Sequence, residues 1–220
     1  MGFSNWGKYV RISAPGEEVL SLRARRTDLL LMAGGKNYQA GRAFLGTDAK
    51  YYHATGSSFS SPFVAGVASL ILAKNPRLTA EQVERMLLMS ADNVEAPGWD
   101  QLTGYGRLNA RKALEADPDH YLYAELHRVA PAREGGRTVL QASGTAKGSH
   151  WGSHTIEVGQ GESPTSWKRA GQLAGGQVDD GVLGTLTRGD FGAGGKWTIR
   201  LVAEDRKGMV RESRTIFTLQ

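Results

Sequence analysis

Apolar residues follow one another almost without a break from Phe63 to Ala73, FVAGVASLILA, and the run stops at Asn75-Pro76. That length and that stop predict a helix. Having no polar face, it is expected to be buried. A second helix is expected from Thr79, where T-A-E-Q forms a capping box with Gln82 reaching back, and Val83, Met86 and Leu87 share one face. It should end near Ser90-Ala91-Asp92. Past a loop with Pro97, Gly98 and the G-Y-G of residues 104 to 106, Asn109 can cap a short helix to about Ala116. Asp117-Pro118 then ends the helical half.

From there the pattern changes to short alternating runs separated by glycine-rich turns. YLYAEL at 121 to 126, SHTIEV at 153 to 158 and KWTIRLVAE at 196 to 204 read as strands. In the last, Trp197, Ile199, Leu201 and Ala203 face one way, and Thr198, Arg200 and Glu204 are expected mostly to face water. Asp205-Arg206-Lys207-Gly208 should turn the chain into a final strand over roughly residues 210 to 219. About seven such runs predict a β-sandwich of immunoglobulin-like or fibronectin-like type. The expected organisation is therefore an α/β part over residues 1 to 118 and an all-β sandwich over residues 119 to 220.

A chain of 220 residues with 40% hydrophobic content can bury a core and suits two modest domains. Cysteine is absent, which excludes disulfides and thiolate metal sites. There is no run of about eighteen apolar residues, so no membrane span is expected in this chain. The opening MGFSNWGKYV has neither the apolar core nor the cleavage pattern of a signal peptide. The net charge of +5 divides into +3 for residues 1 to 118 and +2 for the rest. Neither half is a basic arm, which argues against nucleic acid as a partner. Arg23, Arg25 and Arg26 form the densest cluster, and a solvated loop is favoured over a phosphate site.

The segment with the most chemistry is Ala54-Thr55-Gly56-Ser57-Ser58-Phe59-Ser60-Ser61-Pro62, between a strand-like YYHAT and the apolar helix. A hydroxyl at a helix N-terminus sits among backbone N–H groups without partners, at the positive end of the dipole. Developing negative charge beside it is stabilised. For an arbitrary serine-rich helix start, simple N-capping explains the same residues. His127, His150 and His154 form no metal-ligand spacing with nearby carboxylates. Asp179-Asp180-Gly181 could belong to a calcium loop, but a turn between strands is favoured, and no metal or cofactor is assigned. Trp151 and Trp167 could form a sugar platform, against which stands core packing of at least one of them.

G-S-S-F-S-S-P-F-V-A-G at 56 to 66 resembles the nucleophile motif of the subtilisin-like serine peptidases, G-T-S-x-A-x-P-x-V-A-G. F-S-N-W-G at 3 to 7, I-S-A-P-G at 12 to 16 and G-Y-G-R-L-N-A at 104 to 110 are similar to three further motifs of that family, in the same order. Residues 22 to 50 are longer than the matching loop of compact members. The resemblance implies the C-terminal part of a parallel-sheet peptidase domain with Ser58 as nucleophile. It places the catalytic Asp and His, the oxyanion Asn and most of the specificity pocket upstream of F-S-N-x-G, so the missing N-terminal half of the catalytic domain is an implied partner. This chain alone is then expected to be inactive. His53, on the incoming strand, matches no histidine motif of the family. A protein or peptide substrate and an extracellular or bacterial envelope location are implied as well. The β-module could contact a surface or carbohydrate. The alternative is a noncatalytic binding or adhesion chain carrying a degenerate peptidase half-domain.

Overall fold

The computed structural model describes residues 4–22, 44–45, 50–95, 97–192 and 194–219. Arg23, Arg25, Arg26 and most of the long loop at 22 to 50 lie outside these. The chain divides into two compact units, one holding Ala14–Ser69 and the other Asn5–Ser13 with Leu70–Gln220.

In the first unit, β1 (Val19–Leu22), β2 (Phe44–Leu45) and β3 (Tyr51–Ala54) form a sheet in the order β1-β3-β2. Both pairings are antiparallel. The parallel sheet expected for this half does not occur among the described residues. A parallel ladder takes a strand, a crossover and another strand, and here the chain leaves β3 into a helix and then into two more helices. Those are α1 (Ser57–Lys74), α2 (Ala80–Met89) and α3 (Ala110–Glu115).

Helix α1 begins six residues before the apolar run, in the serine-rich turn. Of its apolar side chains, Val67 and Ile71 are buried, whereas Phe63, Leu70 and Leu72 are exposed. The burial expected on all sides is therefore confined to one stripe. Among the described residues α1 is the one helix long and apolar enough to cross a membrane; a single such helix is no clear span, and the expectation of none is not overturned. Helix α2 is capped as its sequence requires. Thr79 Oγ1 accepts from Gln82 N–H and the Gln82 side chain accepts from Thr79 N–H, burying Val83, Met86, Leu87 and Leu88. Asn109 caps α3 by accepting from Lys112 N–H.

The second unit carries two four-stranded antiparallel sheets. One has the order β4-β5-β9-β8 and the other β11-β10-β6-β7. Their strands are β4 (Leu122–Glu134), β5 (Arg137–Gly148), β6 (Trp151–Gln160), β7 (Lys168–Arg169), β8 (Gln172–Leu173), β9 (Val178–Leu186), β10 (Gly195–Asp205) and β11 (Val210–Leu219). Leu122, Leu126, Leu183 and Leu186 of the first share one core with Ile156, Val158, Ile199 and Leu201 of the second. Each such burial is worth about 1.5–3 kcal/mol. The alternation expected in β10 holds for the core face, but Thr198 is buried too. Its hydroxyl donates to the Gly161 carbonyl at 2.7 Å, which satisfies it out of water.

Trp151 packs against that core. Trp167 lies under two guanidinium groups, Arg200 at 4.0 Å and Arg214 at 5.0 Å from its ring centre. The carboxylates considered for calcium are engaged by cations. Asp179 accepts from Lys147, and Asp180 accepts from Lys8 and contacts His127.

Candidate active site

Ser58 is the second residue of α1 and is exposed. The turn before it is fixed from both sides. Gly56 donates its N–H to the Gly16 carbonyl at 2.7 Å, and its own carbonyl accepts from Phe59 N–H at 3.0 Å. Gly56 holds φ at +153°, in a region that side chains disfavour. Gly16 closes I-S-A-P-G, so two segments forty residues apart in sequence meet at the turn that presents the serine.

Pro62, inside the helix, adds a local reason for the geometry. It has no N–H to give, and the carbonyl it would have served is that of the residue four earlier, Ser58. The first-turn N–H groups also lack intrahelical acceptors. The Ser58 hydroxyl stands on the first turn of an 18-residue helix, at the positive end of its dipole.

His53, on β3, is turned to other work. Its Nδ1 lies 3.1 Å from the Glu18 carbonyl and 3.6 Å from the Glu18 carboxylate. Thr55 accepts from Glu18 N–H at 3.0 Å, so the strand end is held to the same residue.

In the second unit, G-Y-G-R-L-N-A is laced to the segment at 11 to 13. Tyr105 N–H donates to the Arg11 carbonyl, Ser13 N–H to Gly106 and Leu108 N–H to Ser13. Gly106, at φ +111°, admits no side chain, because a Cβ would stand 2.1 Å from the Asp92 carbonyl oxygen. Asp92 accepts from Lys112 and Asn109 and lies near Arg107, and these hold its carboxyl below the usual range even against burial. The motif therefore has a structural reading in full: a glycine for close approach, a cap and a carboxylate clamp.

Residues 1–106 match the model of the Subtilase family. That span contains the motif on the turn before α1 and the 12–16 segment, and it ends within the 104–110 loop. A probable subtilase-type serine protease of Deinococcus radiodurans is 34% identical over 117 residues, covering 52% of this chain and 15% of that protein. A cell wall-associated protease of Bacillus subtilis is 31% identical over 137 residues, covering 52% of this chain and 13% of its own length. The chain thus spans under a sixth of either relative. The crystal structure of fervidolysin from Fervidobacterium pennivorans aligns with 94% of this chain and 30% of that one, at 17% identity and a TM-score of 0.39.

Proposed function

We propose that residues 1 to 118 are the C-terminal part of a subtilisin-like serine endopeptidase domain with Ser58 as nucleophile. Residues 119 to 220 then form an immunoglobulin-like or fibronectin-like sandwich carried behind it. The observation that bears the weight is the strand–glycine turn–helix junction, which sets an exposed serine on the first turn of α1 at the positive end of the helix. Two four-stranded sheets around one core support the sandwich. The activity proposed for the whole protein is peptide hydrolysis outside the cell or at its envelope, in keeping with relatives named as cell wall-associated and extracellular proteases.

Ser58 Oγ attacks the scissile carbonyl and gives its proton to a base supplied from outside these 220 residues. The Ser58 backbone N–H donates to the oxyanion. The C–N bond then breaks, the leaving amine takes the proton from the base, and water releases the acyl group. The general base alone contributes about 10²–10⁴-fold.

A fluorophosphonate probe applied to the protein as its organism makes it should label Ser58. Ser58→Ala should abolish the label and lower peptidase activity by on the order of 10⁴-fold or more, while Ser57→Ala should retain it. Labelling that survives Ser58→Ala and vanishes with Ser57→Ala would assign the wrong hydroxyl, and no labelling of either serine would refute the site.

A further inference from the structure

At one end of the two four-stranded sheets, three loops bring His120, His150 and Asp205 together. One ligand atom from each lies within 4.8 Å of the other two. They come from the turn entering β4, the β5–β6 turn and the β10–β11 turn. We propose that this trio is a binding site for a zinc-class divalent transition-metal ion, which clamps the start of β4 to the turns of both sheets.

The carboxylate is already built as a ligand. Asp205 falls on the inward face of β10, at the register shift where its pairing with β6 moves from Ser153 to Trp151. Its side chain is fully buried, where a charge needs partners on both oxygens. Oδ1 accepts from Lys207 N–H and Met209 N–H, both at 2.8 Å, so two backbone donors fix its orientation. Oδ2 is left to point at His120 Nε2, 2.5 Å away. His150 is tied to the same turn through its backbone, its carbonyl accepting from Arg206 N–H at 2.8 Å. The two imidazoles stand nearly perpendicular, 5.2 Å between ring centres.

The donor set decides the class of ion. Two imidazoles and one carboxylate suit zinc, cobalt, nickel or copper and disfavour calcium and magnesium, which take oxygen ligands. Metal–ligand bonds of about 2.0–2.2 Å set tetrahedral donors about 3.4 Å apart. The His120–Asp205 contact must therefore lengthen by roughly an ångström and the widest separation close by a similar amount, through rotation of the two part-exposed imidazoles about a carboxylate that stays fixed. The ion takes the place of the proton shared by His120 and Asp205. Three protein ligands leave a fourth position for water. A role for His150 separates this reading from a plain His120–Asp205 hydrogen bond, which needs no third residue.

The test uses the full 220-residue chain titrated with Zn(II) alone, followed by calorimetry and thermal melting. One equivalent should bind and raise the melting temperature. Co(II) should give the visible bands of a low-symmetry four-coordinate site, and Ca(II) or Mg(II) should do neither. His150→Ala, which keeps the His120–Asp205 bond and therefore the fold, should weaken Zn(II) binding at least tenfold, as should His120→Asn, while His53→Ala should leave it unchanged. Absence of stoichiometric binding, or equal binding by wild type and His150→Ala, would overturn the proposal.

Discussion

The phenol of Tyr105 donates a 2.6 Å hydrogen bond to Oε1 of Glu125. Tyr105 belongs to the G-Y-G motif at the edge of the family match, and Glu125 lies on β4 beyond it, yet both are buried in the same compact unit. Arg11 donates to the same oxygen at 2.7 Å, and His127 Nε2 lies 3.0 Å from Oε2. Asp180 faces the other nitrogen of His127 at 3.0 Å and takes a 3.1 Å bond from Lys8. A carboxylate at each ring nitrogen requires both to donate, which is the imidazolium form. Burial pushes Glu125 upward, but His127, the Arg11 charge and Tyr105 together hold it below the usual carboxylate range. Burial drives the Tyr105 phenol well above its usual value, so it stays a donor.

Glu125→Gln removes the charge that three groups share. Breaking a fully buried pair costs about 3–5 kcal/mol and an exposed one about 0–1. Because Arg11 is 35% exposed and Glu125 only 5% exposed, we expect about 2–3 kcal/mol. Urea unfolding of wild type and variant measures it, and a loss below about 0.5 kcal/mol, the scatter of ordinary surface changes, would show that the network carries no stability.

The contact between Glu125 and His127 sets a pH window. The bond to Glu125, joined by that to Asp180, raises His127 above its ordinary value despite burial. Its contribution is complete below about pH 6.5 and fades as pH rises through the raised folded value. Glu125, lowered on folding, contributes fully above about pH 4.5 and loses this as pH falls through its depressed value. Stability from the pair should therefore peak between those limits. Melting curves from pH 4 to 9 should show His127→Gln losing most relative to wild type inside that window and least at the alkaline end. A deficit that grows towards pH 9 would reverse the assignment.

Neighbouring residues of α1 make the third test. Ile71 is 1% exposed and Leu70 is 54% exposed, so Ile71→Ala should cost about 2–4 kcal/mol and Leu70→Ala within about 0.5 kcal/mol. A hydrophobic dye bound by the chain should lose fluorescence on Leu70→Glu and Leu72→Glu, which remove exposed apolar surface. Equal costs for the two alanine variants would mean that α1 is covered on both faces.

Elements whose causes are local were legible from the sequence. The Thr79–Gln82 capping box, the Asn109 cap and the inward face of β10 follow from residues three or four apart, or from strict alternation. The start of α1 was not, because Ser57 to Pro62 hold a single large apolar residue, Phe59, too little for a helical period, and only the backbone places them on the helix. Thr198 was expected in water because its partners, the Gly161 and Glu162 carbonyls, lie on another loop.

The chemistry proposed for Ser58 came from the resemblance of its motif to a family's, while the order of glycine turn, serine and Pro62 is contiguous in sequence and so was legible there. What the tertiary structure alone decided are the relations made by chain return: antiparallel pairing in the first sheet, Gly56 resting on Gly16, Glu125 drawing in Arg11, Tyr105 and His127, and His120, His150 and Asp205 meeting from three turns. Sequence spacing encodes contacts only within a turn or along a strand. Contacts between distant segments are set by how whole faces bury one another, so residues eighty-five positions apart, such as His120 and Asp205, can share a hydrogen bond that no spacing rule contains.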